Sequence, residues 1–459
     1  MRAPSLFFGL FVVSLVACGG GGGGGVTGGG GTLPPQTTPT PSHATPTPGP
    51  GVPTATPTPG VKTPTPTPTP TPIQGTDVEV AFNGIAGINP VNYIYAASGT
   101  GAFSPLTLRN GTVGTLIVPT GTTTYTIAYV CNNQENIVTL SINDTTTPAF
   151  GCLNAVNTYN GNVTYDASGV TNATSVNISS SAFVGGGIFN QSVSGTANLS
   201  ANPLTTDVFI QALGTTGNVL AAKFFPDLGI SNSLVNVGSI TSAADAATTH
   251  TVMIGGSVPA IFRANFITVN GGTTLIATSA LGRTCGTSSC SYTAIPTAEE
   301  PEPTDVYTID ARKNIGTQQV ATQETIATAA DLNLPAPATF SPTAPTPAVF
   351  PTIQFAYGGF AAPVNVESYQ IMLSGLTGAN GTICYVVTAK AIGSNPSLTI
   401  PDLSSVSPLI FPAPAHGSTV TWTASVQGTS PAIVPMVLPN PHSGDIIETA
   451  TAMGAYTVP

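Results

Sequence analysis

Charged side chains are scarce in this sequence. Asp, Glu, Lys and Arg make up 6% of its 459 residues, against about 25% in an ordinary soluble domain. Nine residues are basic and nineteen are acidic, so the formal net charge is −10. So few cations provide no basic patch for phosphate contacts. The composition argues against nucleic acid as a partner and against electrostatic adhesion to anionic lipid.

The low charge does not indicate a disordered chain. Disorder from composition requires low hydrophobicity or high net charge, whereas 41% of these residues are hydrophobic. Thr, Ser, Asn and Gly must therefore supply most of the polar surface. We expect the chain to fold from about residue 76 onward.

The usual local signatures of catalysis are missing from the sequence. It contains neither a Gly-x-Ser-x-Gly segment nor a His-Glu-x-x-His segment. Its four histidines are dispersed, at His43, His250, His416 and His442. A Ser-His-Asp set could be assembled only in space, from His416, Asp402 and a nearby serine. We therefore predict no catalytic residues and no enzyme.

One acidic cluster is the candidate metal site. Glu299, Glu300 and Glu302 alternate with prolines and are followed by Asp305. Their oxygens could bind calcium weakly, but the glycine turn of a calcium loop is missing. A solvated acidic loop explains the cluster better, and we predict no metal and no cofactor.

The spacing of the cysteines predicts two disulfides. Cys131 and Cys152 flank a probable hairpin, and Cys285 and Cys290 lie five positions apart. In an oxidising compartment both pairs are expected to form bonds. Cys384 is left over in an apolar run, where we expect a buried thiol that behaves as a small hydrophobic side chain.

The N-terminus has the pattern of a secretory signal. Arg2 precedes an apolar run over residues 6–16, which is well short of the roughly 20 residues that span a bilayer. The end of this run and the two residues after it, Leu15-Val16-Ala17-Cys18, resemble the lipobox of bacterial lipoproteins. The resemblance implies a signal peptide over 1–17, cleavage between Ala17 and Cys18, and lipidation of Cys18. The alternative is an ordinary signal peptide with a chance cysteine.

The lipobox resemblance also implies a location. Gly19 follows the cysteine where an aspartate would retain the protein at the inner membrane. The expected location is therefore the bacterial outer membrane or cell surface, with the protein facing outside or the periplasm. Two or three acyl chains hold durably, because burial contributes about 0.8 kcal/mol per CH₂.

The composition of residues 18–75 predicts a disordered stalk. Glycine dominates residues 19–33, and proline alternates with threonine over residues 34–72. The second part favours polyproline II, which rises about 3.1 Å per residue and acts as a stiff spacer. Its composition also matches stalks that carry O-linked sugars, which is the alternative explanation of the same residues.

Beyond the stalk the hydrophobic pattern has period two, which predicts an all-β fold. Tyr125, Ile127 and Tyr129 alternate before a predicted turn over residues 132–136, and further alternate apolar residues follow it. We assign a first β domain to residues 76–155. Residues 156–315 repeat short strands and Gly/Asn/Ser turns, which predicts one sandwich, or two with a boundary near residues 242–248.

The remaining sequence predicts a linker and a last domain. Residues 316–349 are rich in Ala, Thr and Pro, with a short helix expected over residues 325–332. Residues 350–459 again alternate. The segment 417–426, with the single Trp422 as a core residue, resembles a late strand of fibronectin type III domains. Residues 159–165 are similar to the first strands of Ig-like and carboxypeptidase-regulatory-like modules. The resemblances imply tandem Ig-like or fibronectin-like β-sandwiches.

Three tyrosines are candidates for stacking on sugars. They are Tyr159, Tyr292 and Tyr357, which fall near predicted loops. Tyrosine on a sandwich strand is more often half-buried core, so each has a structural alternative.

These features predict a lipid-anchored surface protein that presents β-sandwich domains for adhesion, glycan binding or envelope structure. Its expected partners are the membrane, through the anchor, and an extracellular glycan or protein ligand. The alternative is a surface hydrolase, or an accessory module of a secreted enzyme, whose residues meet only in three dimensions.

Overall fold

A computed structural model describes most of the chain from residue 74 onward. The described residues are 74–82, 88–89, 94–109, 113–131, 134–150, 152–153, 159–180, 187–190, 192–201, 205–229, 234–241, 245–269, 276–280, 283–295, 305–377, 381–393, 396–408, 410–431 and 442–459. The predicted signal peptide, Cys18 and the stalk lie outside these residues. The assignments made for them stay predictions.

The first half of the described chain consists of strands of 2 to 11 residues. They are β1 (Gly75–Phe82), β2 (Ile88–Asn89), β3 (Ile94–Ser98), β4 (Ser104–Pro105), β5 (Leu108–Arg109), β6 (Val113–Pro119), β7 (Thr124–Cys131), β8 (Gln134–Ser141), β9 (Ala149–Phe150), β10 (Cys152–Leu153), β11 (Tyr159–Gly169), β12 (Ser175–Ser180), β13 (Gly187–Asn190), β14 (Ser194–Ala201), β15 (Thr205–Leu213) and β16 (Val219–Gly229).

The second half continues in the same way and includes one helical turn. Its elements are β17 (Leu234–Thr241), β18 (Thr249–Ile254), β19 (Ile261–Val269), β20 (Ile276–Ala280), β21 (Arg283–Cys285), β22 (Cys290–Thr293), β23 (Val306–Ile315), β24 (Gln318–Ile326), β25 (Leu332–Leu334), β26 (Thr352–Gln354), β27 (Asn365–Ser374), β28 (Thr382–Thr388), α1 (Ala389–Ile392), β29 (Ser397–Thr399), β30 (Thr419–Ser430) and β31 (Ile446–Thr457). The predicted all-β class is confirmed.

One twelve-stranded sheet organises the molecule. Its strand order is β20-β19-β23-β24-β31-β30-β27-β28-β8-β7-β3-β4. Strands from all three predicted domains and from the predicted linker therefore lie in the same sheet. We call it the large sheet.

The predicted domain boundaries do not match this pairing. Strand β24, inside the predicted linker 316–349, pairs along its length with β31 from the predicted domain 350–459. Strand β8, from the predicted domain 76–155, pairs in parallel with β28. Residues 74–459 consequently fall in one compact unit. The sequence does not reveal this, because the local alternation of apolar residues does not encode which distant strands pair.

The short helix expected over residues 325–332 is also wrong. The structure has the end of β24 there, followed by bends and the start of β25. Three residues of β24 are buried: Val320 and Thr322 on one face of the strand, and Thr325 on the other. Tertiary pairing with β23 and β31 overrides the weak helical preference of this Ala/Thr sequence.

The first side of the large sheet is covered by a chain with little regular structure. We call residues 335–364 and 396–408 the cover. Strands β26 and β29 join its two parts. Buried residues of the cover pack on the sheet and form the largest apolar core, among them Phe340, Ile353, Phe355, Leu398, Ile400 and Leu403.

The second side of the large sheet is covered only in part. Over β7, β8 and β28 it packs against the four-stranded sheet β5-β6-β1-β9, with Val78, Val80 and Phe82 in the shared core. Strands β7 and β8 are therefore buried on both sides, where the sequence predicts one buried face. Two further small sheets, β14-β11-β17 and β13-β12-β15-β16, enclose a separate core.

Candidate functional site

An open face lies on the second side of the large sheet, over β24, β31, β30 and β27. Side chains alternate along a strand, and Val420, Trp422, Ala424 and Val426 of β30 point into the core of the first side. The residues between them point to the second side, where they are half-buried or exposed. The open face consists of Gln319, Ala321, Gln370, Met372, Thr421, Thr423, Ser425, Thr449, Thr451 and Met453.

A straight row of polar side chains crosses the open face. Gln319 pairs with Thr451, Thr451 with Ser425, and Ser425 with Gln370. Strands lie about 4.8 Å apart, so the row spans roughly 14 Å. The hydroxyls of Ser425 and Thr451 lie 3.0 Å apart in a hydrogen bond. We call these four residues the polar row.

A second row runs beside the polar row and has apolar ends. Thr423 pairs with Met453 on one side and with Met372 on the other. Met453 is 51% exposed, the largest exposure among the described large apolar side chains. Residues two apart on a strand are separated by about 6.8 Å. The open face therefore combines hydroxyls and amides with two thioether side chains at regular spacing.

The open face carries no ionisable side chain. Arg312 on the neighbouring strand β23 lies opposite Ala321 of the open face and donates to Asp310 at 2.8 Å. Opposite charges in contact cancel most of each other's field beyond the pair. The face can therefore exchange hydrogen bonds with a neutral ligand without desolvating a charge.

Two of the three candidate tyrosines are core residues. Tyr292 is 1% exposed, and its hydroxyl donates to the Ala330 carbonyl and accepts from the Ala330 amide. Tyr357 is 9% exposed and packs against Phe360. Neither can stack on a sugar in this conformation. The side chain of Tyr159 lies outside the described set.

The structure does not assemble the candidate Ser-His-Asp set. Asp402 accepts hydrogen bonds from the amide and the hydroxyl of Ser404. His416 is exposed on a turn, and within the described part of the chain no hydrogen bond or ion pair joins it to Asp402. His250 instead lies 3.7 Å from Asp331, at the start of β18. His43 lies outside the described residues.

The acidic cluster at residues 299–302 lies outside the described residues, although Asp305 is described and buried. The residues that the structure describes contain no group of three or more His, Cys, Asp or Glu side chains placed to hold a metal.

The cysteines divide into a local pair and a long-range one. Cys285 and Cys290, the pair that the sequence predicts, form a disulfide with an S–S distance of 2.04 Å. Cys384 is 1% exposed but is itself disulfide-bonded. The expectation of a lone buried thiol is therefore wrong. The side chains of Cys131 and Cys152 lie outside the described set, and so does Cys18. Because Cys285 and Cys290 bond to each other, the partner of Cys384 is Cys18, Cys131 or Cys152, and the predicted Cys131–Cys152 bond and the predicted lipidation of Cys18 cannot both hold.

Two buried glutamates on the first side are absent from the sequence-based candidates. Glu135 on β8 is 2% exposed and Glu448 on β31 is 1% exposed. One oxygen of each makes no hydrogen bond with any described residue. The sequence placed Glu135 in a turn over residues 132–136, whereas β8 begins at Gln134. An acid at a core-facing position of the strand pattern would have been the signal for Glu448.

Burial alters the titration of both glutamates. Burial, with a smaller contribution from the charge of Asp402, raises the pKa of Glu135 to about 8. Burial raises the pKa of Glu448 to about 7. Both shifts arise because a poorly hydrated site disfavours the charged form. The two side chains are therefore predominantly neutral in mild acid.

Comparison with known proteins leaves the family open. No protein-family model matches the chain, and no curated protein is similar to it at a significant level. Across the part of the chain that the structure describes, no helix has the length and apolar character to cross a membrane.

Proposed function

We propose that this chain is a lipid-anchored protein of a bacterial surface that binds neutral polysaccharide through its open face. It binds by non-covalent contacts and catalyses no reaction. The observation that carries the proposal is the polar row beside the methionine-flanked Thr423. A sugar ring has hydroxyls at its rim and C–H groups on its faces, so it matches a surface on which hydroxyls alternate with thioethers.

The charge of the surface supports a neutral ligand over an anionic one. The open face has no cation to pair with a sulfate, phosphate or uronate group, and the whole sequence carries a net charge of −10. A polyanion would be repelled at long range and would find no partner at contact.

A polymer is favoured over a short sugar because the open face lacks aromatic platforms. Individual hydroxyl contacts contribute little net free energy, since each replaces a hydrogen bond to water. Repeated units along one chain raise the effective concentration of each later contact. We therefore expect weak binding of monosaccharides and measurable binding of long chains.

The membrane anchor belongs to the same proposal. Its support is the sequence Leu15-Val16-Ala17-Cys18 followed by the Gly-rich and Thr-Pro-rich stalk, which would hold the binding unit away from the outer membrane. Replacing Cys18 by serine should move the protein from the membrane fraction to the soluble fraction. Retention of the Cys18→Ser variant in membranes would contradict the anchor.

The binding test uses a soluble form that begins at Gly75, the first residue of β1. Its retention on insoluble and immobilised neutral polysaccharides (starch, dextran, galactomannan and cellulose) is measured, with dextran sulfate as the charged counterpart of dextran. We expect retention on at least one neutral polymer and none on dextran sulfate.

A matched pair of variants locates the binding surface. Ser425→Arg places a long charged side chain in the middle of the polar row and should reduce binding at least about tenfold, because a buried unpaired charge is costly. Thr115→Arg, at an exposed position of β6, should leave binding unchanged. Hydrolysis of ester or peptide substrates without binding to any polysaccharide would instead support the hydrolase alternative.

A further inference from the structure

The cover rests on the two buried glutamates at separate places. Residue Asp402 of the cover is close enough to Glu135 for its charge to raise the pKa of that glutamate. Burial and, to a smaller extent, the charge of Glu448 raise the pKa of Tyr357, another residue of the cover. Each glutamate projects from the first side of the large sheet, as Ile137 and Ala450 do in the core beneath the cover.

Among the residues that the structure describes, no cation is paired with Glu135. Its cross-strand neighbours are Val130 on β7 and Ile383 on β28, which are apolar. The titratable group that faces it from the cover is Asp402, an acid. A negative charge on Glu135 would therefore have neither a described counter-ion nor a described hydrogen-bond donor to its buried oxygen.

The surroundings of Glu448 are similar. Its cross-strand neighbours are Thr322 on β24 and Gly428 on β30. The Thr322 hydroxyl is already used, because it donates to the Pro335 carbonyl of the cover at 2.6 Å. The titratable groups on this part of the first side are Tyr357, from the cover, and Glu324, two residues beyond Thr322, and both are acids.

The cover lies tightly on the sheet beside Glu448. A side chain on Gly428 would place its Cβ 2.2 Å from Phe360 and 2.7 Å from Val364. The residues Phe360 and Val364 of the cover thus occupy the space above Gly428, next to Glu448. Water can reach a charged Glu448 only if this part of the cover moves away.

We propose that the cover is a pH-sensitive element of the fold: it stays closed while Glu135 and Glu448 are protonated, and it lifts from the large sheet when they lose their protons to solvent. Lifting the cover hydrates both carboxylates, separates Glu135 from Asp402, and breaks the hydrogen bonds that join the two parts of the cover. The rest of the unit, including the sheet β5-β6-β1-β9, stays folded. The proposal is independent of the polysaccharide-binding function, which uses the opposite side of the large sheet.

Hydrogen exchange measured by mass spectrometry tests the proposal. The amides of Phe355 and Ile400 report on the cover, because they donate to Pro396 and Pro351 and so join its two parts. The amides of β1, which pair with β6, serve as an internal reference. Exchange is followed at pH 5.5 and pH 8.5 without metal ions, and the intrinsic dependence of exchange on pH is divided out.

The expected result is a selective opening of the cover. Each unit of pKa difference between the closed and open cover changes the opening equilibrium tenfold. In the wild type we expect corrected exchange of the cover to rise at least about tenfold between the two pH values, with little change in β1. In the double variant Glu135→Gln, Glu448→Gln the rise should disappear, whereas Glu79→Gln, at an exposed position, should behave as the wild type.

Three outcomes would overturn the proposal. The first is a wild-type cover whose corrected exchange does not change with pH. The second is a rise of equal size in β1, which would mean that the whole unit opens. The third is a rise that persists in the double variant. The first two need only the wild-type protein, so the test stands even if the double variant fails to fold.

Discussion

The two sides of the large sheet use the same four strands for opposite purposes. On β30, Val420, Trp422, Ala424 and Val426 enter a core beneath the cover, while Thr419, Thr421, Thr423 and Ser425 face outward. The first side of these strands is closed and apolar, with Glu448 of β31 buried among the core residues. The second side is open, polar and free of charge across the open face. A shift of one residue in register would exchange the residues that face the two sides. The alternation along each strand therefore decides which side chains stabilise the core and which belong to the open face.

The largest expected contrast between the two sides comes from truncating one large residue on each. Trp422→Ala removes a side chain that is 6% exposed in the first-side core and should destabilise the protein by about 3–5 kcal/mol. Met453→Ala on the open face should change stability by less than about 0.5 kcal/mol. Urea unfolding followed by circular dichroism measures both. Equal losses would show that the second side is also covered.

The disulfide of Cys384 lies in the part of the second side that the sheet β5-β6-β1-β9 covers. Because Cys285 and Cys290 bond to each other, the bond of Cys384 closes a loop of more than two hundred residues. Long loops gain most in the chain-entropy account, so Cys384→Ser should cost about 4–5 kcal/mol and Cys285→Ser with Cys290→Ser about 2 kcal/mol. Thermal unfolding without reductant compares them. A larger loss for the local pair would contradict the ranking.

Gly428 sharpens the comparison because the cover packs directly against it. Gly428→Ala forces Phe360 and Val364 to shift and should destabilise the protein by about 1–3 kcal/mol. Gly358→Ala adds a methyl group where no atom lies within 4 Å and should be nearly neutral. Differential scanning calorimetry measures both variants. A neutral Gly428→Ala would mean that the cover is loosely attached.

The charge state of Glu448 gives a smaller effect with a definite sign. Its pKa rises from 4.5 to about 7 on folding, so the stabilising contribution is fully present below pH 4.5 and is lost as the pH rises toward 7. Glu448→Gln should therefore raise the midpoint of thermal unfolding by a few degrees at pH 8 relative to the wild type, and should change it little at pH 4.5. A variant less stable than the wild type at pH 8 would contradict the sign.

The sequence predicts the strands better than it predicts their partners. Alternation identifies the inward residues of β27, β28 and β30, including Tyr369, Ile383 and Trp422, and all three are buried. It does not reveal that β24 pairs with β31 or β8 with β28, because pairing depends on complementary faces far apart in the chain. The predicted linker and the three-domain division fail for this reason.

The candidate site shows the same limit. The abundance of Thr and Ser indicates a polar surface, but the polar row exists only because four strands from distant segments align in one register. The tyrosines at positions 292 and 357 were candidates because their sequence neighbours suggest loops, and their burial comes from packing that the local sequence does not encode.

Oxidative footprinting of methionine tests the binding surface most directly. Hydroxyl radicals are applied with and without the neutral polysaccharide that binds best in the retention assay, and oxidation is measured at each methionine. Bound polymer should slow the oxidation of Met453 and Met372, which flank Thr423 on the open face, and should leave Met253 on β18 unchanged. Protection of Met253 without protection of Met453 and Met372 would contradict the assignment of binding to the open face.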